Sequence, residues 1–196
     1  HHFQELSKRF NGLKTVTPNL HKVGYSKIDE LVINSKFTKI NEIKKILIAP
    51  TWGPNNIINT CLNELIKKLS KNYLITFRPH PISLVNDKKI ISSLINNYKN
   101  NKNFKISSSN NNLEDYLNND IIISDWSGAA LEFSISLFRP CIFIDTKQKI
   151  NNKKILENKK AKADSFENWI RFKLGKVIKI NEINNINKTI NEIQNN

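Results

Sequence analysis

Short β-branched runs alternate with stretches of helical periodicity along most of this chain. Ile43 to Ala49, Tyr73 to Phe77, Phe104 to Ser107, Ile121 to Ile123 and Cys141 to Ile144 are brief, largely apolar and closed by turn or polar residues, which predicts strands. Between the first two, Ile57, Ile58, Cys61, Leu62, Leu65, Ile66 and Leu69 recur at helical spacing and predict one helix. Leu84 to Tyr98 and Ala129 to Phe138 read as further helices, and Leu113 to Leu117 as a short one. Upstream, Phe3 to Asn11 and Ile28 to Ile33 are helical, Lys22 to Tyr25 is extended, and Ser35 to Asn41 is a linker. Beyond Asp145, the polar segment Lys147 to Lys162 reads as a loop with weak helix and Phe166 to Lys173 as a helix. Ile183, Ile186, Ile190 and Ile193 form one apolar stripe, a docking face rather than a catalytic feature. Strand and helix in alternation predict an α/β fold, Rossmann-like, with a mostly parallel sheet covered by helices on both faces.

The expected organisation has three parts. Residues 1–41 are a linker and the tail of a preceding domain, 42–180 the Rossmann-like domain, and 181–196 a C-terminal amphipathic helix. At 196 residues and 39% hydrophobic, the chain is long enough for one substantial core. His1 and His2 run into Phe3-Gln4-Glu5-Leu6 as native sequence, and the chain reads as starting partway through a larger protein. No apolar run reaches the roughly 20 residues of a membrane-spanning helix, and no signal peptide is evident. Cys61 and Cys141 read as core thiols of a reducing, cytoplasmic protein, with no second pair at metal-ligand spacing. The net charge of +14 attracts polyanions or an anionic membrane surface, which makes peripheral association at the inner face of the membrane one reading. Its other source is compositional, because the lysines are scattered through Asn- and Ile-rich stretches such as NNYKNNKNFK. Aromatic residues are not interleaved with the basic ones as stacking on nucleic acid requires, so no nucleic-acid partner is expected.

The unusual polar residues gather where strands end. Thr51-Trp52-Gly53 follows the first strand, Arg78-Pro79-His80-Pro81 the second, and Asp125-Trp126-Ser127-Gly128 the fourth. In a parallel sheet these loops meet at one edge, where ligands of such folds bind. Ser127 and Gly128 open a helix, whose first N–H groups lack internal partners and carry the positive end of the dipole, so the pair forms an anion seat. Arg78 offers a planar fork for phosphate oxygens, and His80, held between two prolines, can pass a hydrogen bond or proton to a departing phosphate. Thr51 offers a hydroxyl and a backbone N–H. Glu132, too far along the helix to cap it, can accept both hydroxyls of a ribose. Asp125 is expected to orient the loop through backbone N–H bonds rather than to touch ligand. Each has a structural alternative: Ser127 as helix cap, His80 as a surface residue, Thr51 as a turn residue, Glu132 as a solvated carboxylate. The sequence holds no Walker-type loop, no G-x-G-x-x-G and no metal-ligand cluster, so no cofactor or metal is expected.

The succession ILIAPTW, FRPHP and IISDWSGAALEF with RPCIFID resembles the CDP-glycerol glycerophosphotransferase family, builders of teichoic-acid and capsular polymers. VGYSKIDEL and HHFQEL resemble the segments that precede the same domain, and the likeness runs from about His1 to Asn152. The resemblance implies a two-domain GT-B architecture of which this chain is the second, donor-binding half. It implies that Arg78 and His80 serve the donor pyrophosphate, with His80 important for turnover, that Ser127 and Gly128 lie against the same phosphates, and that Glu132 reaches the ribose. Relatives often have Asp-Tyr-Ser-Ser at Asp125-Trp126-Ser127-Gly128 and Asp at Glu132, a departure that bears on donor identity. The implied partners are a CDP-activated polyol donor, a polymer or lipid-linked acceptor, and an absent N-terminal domain carrying the base that activates the acceptor. Two other classes stay open on the sequence: a nucleotide-sugar transferase or UDP-sugar epimerase, and a non-catalytic basic module that binds anionic membrane or polymer.

Overall fold

The computed structural model describes residues 2–13, 16, 18–35, 42–109, 111–148 and 165–195. The expected linker at 36–41 and most of the polar loop expected at Lys147 to Lys162 lie outside these residues. In chain order the elements are α1 (His2–Leu13), α2 (Ser26–Asn34), β1 (Lys45–Ile48), α3 (Ile57–Thr60), α4 (Leu62–Leu69), β2 (Leu74–Phe77), α5 (Pro81–Asn86) and α6 (Lys88–Tyr98). They continue as β3 (Phe104–Ile106), α7 (Asn112–Leu117), β4 (Ile121–Ser124), α8 (Gly128–Leu137), β5 (Cys141–Asp145), α9 (Phe166–Leu174) and β6 (Gly175–Lys179). A 3-10 helix (Ile180–Asn185) leads into α10 (Ile186–Gln194).

All six strands are parallel, in the order β3-β2-β1-β4-β5-β6. Parallel strands need crossovers, and the helices that make them cover both faces. Alternate residues therefore enter different cores. Ile46 and Ile48 of β1 join Leu62, Leu65, Ile66 and Leu69 of α4 and Ile91 and Leu94 of α6 on one face. Leu47 and Ala49 join Leu31 of α2, Tyr116 of α7 and Phe133 of α8 on the other. This is why β1 and β4 are continuous Ile/Leu runs rather than alternating ones.

Three differences from the sequence pattern have local causes. The helix expected across Ile57 to Leu69 breaks at Cys61, whose φ of −147° is not helical, and the periodicity resumes in register on the far side. The helix expected from Leu84 begins earlier, at Pro81, a residue suited to the first turn, and pauses at Asp87. Helix α8 stops at Leu137, where Phe138 takes a left-handed conformation (φ 53°) ahead of Arg139-Pro140.

Strand β6 is absent from the sequence reading. It is an edge strand in which only Ile178 is buried, and it docks on β5 so closely that a Cβ on Gly175 would lie 2.2 Å from the Cys141 carbonyl oxygen. The apolar stripe beyond it docks on this sheet's own core. Ile183, Ile186 and Ile190 are fully buried in the first core, and the Gln194 side chain accepts the Ile43 N–H at 3.0 Å, tying α10 to the entry of β1.

Candidate functional site

Strand order turns at β1 and β4: the chain builds outward through β2 and β3, then returns to the other side of β1 for β4 and beyond. A sheet of this kind opens a crevice outside the carboxyl ends at that point, because successive crossovers depart to opposite faces. The loops after β2, β1 and β4 stand side by side there. The outer two are two strand spacings apart, about 10 Å.

Asp125 joins the inner pair. Its Oδ1 accepts the N–H of Thr51 (2.7 Å) and of Trp126 (2.8 Å), and Oδ2 accepts the N–H of Ile57 at the start of α3 (2.9 Å). The residue is fully buried; burial raises its pKa, and these amide bonds work in the opposite direction. The expected orienting role is thus what the structure shows, and it takes the Thr51 N–H out of reach of a ligand, leaving the hydroxyl. In the same loop Gly53 has φ 120°, a conformation that L side chains rarely adopt. The Ser124 hydroxyl donates to the Ala49 carbonyl (2.5 Å), a further tie between the ends of β1 and β4.

Ser127 is the N-cap of α8, its Oγ accepting the Ala129 N–H at 3.3 Å. The capping role is real, and the anion seat is compatible with it. A Cβ on Gly128 would meet nothing within 4 Å, so the space over the first turn of α8 is open to a close-approaching group. His80 in turn caps α5: its Nδ1 accepts the Ile82 N–H at 3.2 Å, which puts the proton of the neutral imidazole on Nε2. The Trp52 ring lies 6.3 Å from the His80 ring, centroid to centroid, so the loops after β1 and β2 are in contact.

Arg78 is drawn sideways. One guanidinium nitrogen, Nη1, meets the buried carboxylate of Asp115 (2.5 Å), the Ser109 carbonyl (3.0 Å) and the Ser107 hydroxyl (3.3 Å). Asp115 and Ser107, not singled out from sequence, hold the arginine in place. Glu132 is also engaged. Lys27 reaches both of its oxygens (2.9 and 2.8 Å), the Tyr25 hydroxyl donates to Oε1 (3.0 Å) and the Tyr116 hydroxyl to Oε2 (3.0 Å). Both phenols have raised pKa values, Tyr25 chiefly through its bond to Glu132 and Tyr116 chiefly through burial, so both remain donors. Lys27 and Tyr25 fall in the VGYSKIDEL segment, but nothing local in the sequence links them to a carboxylate more than a hundred residues away.

The Ser127 loop borders a shallow recess of about 10 Å³, walled in part by Phe143, Glu167 and Arg171. A larger cleft, about 380 Å³, opens at the opposite edge between Lys45, Leu74, Lys105 and Asn119. Size favours the latter, but among the described residues convergent donors with an open helix N-terminus are at the carboxyl edge, and that arrangement identifies a site better than volume does. Among the described residues there is no cluster of His, Cys, Asp and Glu able to hold a metal ion, and no helix long and apolar enough to cross a membrane.

The profile of the CDP-Glycerol:Poly(glycerophosphate) glycerophosphotransferase family matches residues 6–167, most of the chain and every loop described above. The chain belongs to this family. No curated protein matches it at a significant level. Among solved structures, it is similar to the wall teichoic acid polymerase TagF, at 24% identity and a TM-score of 0.47, over 87% of this chain and 39% of that one. It is also similar to the UDP-GlcNAc 2-epimerase of Methanocaldococcus jannaschii, solved with UDP-GlcNAc and UDP, at 17% identity and a TM-score of 0.45, over 96% of this chain and 46% of that one. The chain thus spans less than half the length of either. Residues 6–167 of this glycerophosphotransferase family member include α2 as well as the sheet up to β5, so the Tyr25-Lys27 clasp on Glu132 lies within the matched region.

Proposed function

We propose that this chain is the donor-binding half of a GT-B transferase that moves glycerol phosphate, or a related polyol phosphate, from a CDP-activated donor to an acceptor hydroxyl of a cell-surface polymer. The observation that carries the reading is convergence: Asp125 binds the β1 and β4 loops into one unit, and Trp52 brings the His80 loop against it. The donor diphosphate lies across the Ser127-Gly128 helix terminus, toward Arg78 and His80. Glu132 takes the ribose hydroxyls in place of its bonds to the exposed Tyr25 and to Lys27, while the buried Tyr116 stays.

In the reaction, the acceptor oxygen forms a bond to the phosphorus of the polyol phosphate, and the bond from that phosphorus to the bridging oxygen breaks. CMP leaves with the bridging oxygen. His80 Nε2–H donates to that oxygen, and Arg78 with the α8 terminus offsets the charge that develops on it, the kind of fixed electrostatic assistance that dominates many catalysed transfers. The acceptor proton goes to a base on a preceding domain, which also holds the polymer or lipid-linked acceptor. The basic surface of the chain favours a position at the inner, anionic face of the membrane.

Calorimetric titration of the chain with CDP, CMP, UDP and GDP tests the reading. The expected result is preference for the cytidine nucleotides. Equal binding of all four, or none, would remove the donor assignment.

A further inference from the structure

Arg171 is the least expected residue near the site. It lies on α9, where a basic residue in an amphipathic helix reads as solvated surface, yet it is 2% exposed. Its guanidinium stacks on the indole of Trp126, 3.8 Å from carbon to ring centroid, and faces Phe143 at 5.4 Å. Polar contact is thin: Nη1 reaches the half-exposed Asp145 carboxylate at 3.3 Å, Nη2 reaches the Ile144 carbonyl at 3.4 Å, and Nε is buried without a hydrogen-bond partner among the described residues. Burial works against its charge, and Asp145 and Asp125 favour it. Arginine does not deprotonate under these conditions, so the domain keeps a positive charge against the wall of the Ser127 recess with its donors incompletely used.

Trp126 links that charge to the seat. Its Nε1–H donates to the Thr146 carbonyl at 2.8 Å, so the indole is fixed by the β5 exit at its edge and by Arg171 on its face. The next two residues are Ser127 and Gly128. A stacked guanidinium holds an aromatic plane as well as attracting it, and a lysine in its place supplies the charge without the plane.

We propose that Arg171 is a positioning residue of the phosphate seat, fixing the Ser127-Gly128 turn through Trp126 and biasing that turn toward anions. The inference rests on the donor reading for the nature of the bound diphosphate, but not for the seat itself.

The test compares the chain with its Arg171→Met and Arg171→Lys variants, titrated with inorganic pyrophosphate, CDP and cytidine. Arg171→Met should weaken pyrophosphate and CDP about tenfold and cytidine less than about twofold, because only the phosphate-bearing ligands use the seat. Arg171→Lys should recover part of the loss for both. Trp126 emission, read in a background where Trp52 and Trp169 are phenylalanine, should rise and shift to the red in Arg171→Met as the stack is lost. Should Arg171→Met not fold, Trp126→Leu breaks the same link from the other side and should give the same ligand pattern. Unchanged affinities for pyrophosphate and CDP in these variants overturn the inference and leave the donor reading standing. An equal loss for cytidine overturns it too, since that marks general loosening. Wild-type binding of pyrophosphate without preference for cytidine nucleotides has the opposite meaning: the seat stands and the donor reading falls.

Discussion

Two arginines, one on each side of the sheet centre, meet the same problem in different ways. On the β2 side Arg78 is ion-paired with Asp115, whose side chain is 8% exposed, and shares it with Ser107. On the β5 side Arg171 is the more deeply buried of the two, yet its carboxylate partner, Asp145, is 46% exposed and sits at a longer distance. The first guanidinium is held by charge, the second largely by an aromatic face. A buried pair in low dielectric cannot lose one member cheaply, whereas a pair open to water is already screened. The two sides of the site should therefore respond differently to the loss of a carboxylate.

The largest effect is expected on the β2 side. Asp115→Ala leaves Arg78 and Ser107 without their shared acceptor and should lower unfolding free energy by about 3 kcal/mol, measured in urea. A loss under about 1 kcal/mol would mean that the two arginines are equivalent after all. His80→Ala, assayed as CMP release by the full-length protein, should slow turnover by roughly 10²-fold. An unchanged rate would place the chemistry elsewhere on the edge. On the β5 side, Gly175→Ala drives a Cβ into the Cys141 carbonyl and thiol and should cost about 2 kcal/mol by prising β6 from β5.

The thiols probe both sides at once. Cys61 belongs to one core and Cys141 to the other, and burial pushes each pKa from 9.0 up to about 11. A raised folded value means that the native state holds its protons longer than the unfolded state. The associated stability is complete below pH 9 and is lost as pH rises toward 11, on the order of 2 kcal/mol for each thiol. Chemical unfolding at pH 8 and pH 10.5 should show the decline, and neither thiol should react with iodoacetamide in the native protein at pH 8. The smallest effect is Asp145→Asn. Asp145 is itself half open to solvent and its bond to Arg171 is long, so the change should alter stability by less than about 1 kcal/mol, in contrast to Asp115→Ala.

The same asymmetry governed what could be read from sequence. On the β2 and β1 side, near-continuous apolar runs ended by Pro50 and by Arg78-Pro79 marked the strands and their loops together, because a strand buried on both faces is largely apolar. The role of Asp125 was legible for a related reason: a carboxylate at a strand end beside a helix start faces several unpaired amides. Strand β6 was not legible, since Gly-Lys-Val-Ile-Lys buries one residue and resembles a loop until β5 is there to pair with it. Arg171 was hidden by its chemistry, as burial of a guanidinium depends on an indole and a phenyl ring from two other elements. The breaks at Cys61 and Asp87 left the hydrophobic period intact and so gave no signal.

Asp125 has a consequence beyond its own hydrogen bonds. Three amides from two segments separated by about seventy residues close on one carboxylate, so the spacing between the Thr51 and Ser127 turns is set from inside the protein. An arriving anion meets a gap of fixed width and need not draw the turns together itself, which spares it an ordering cost that a looser edge would impose on every encounter.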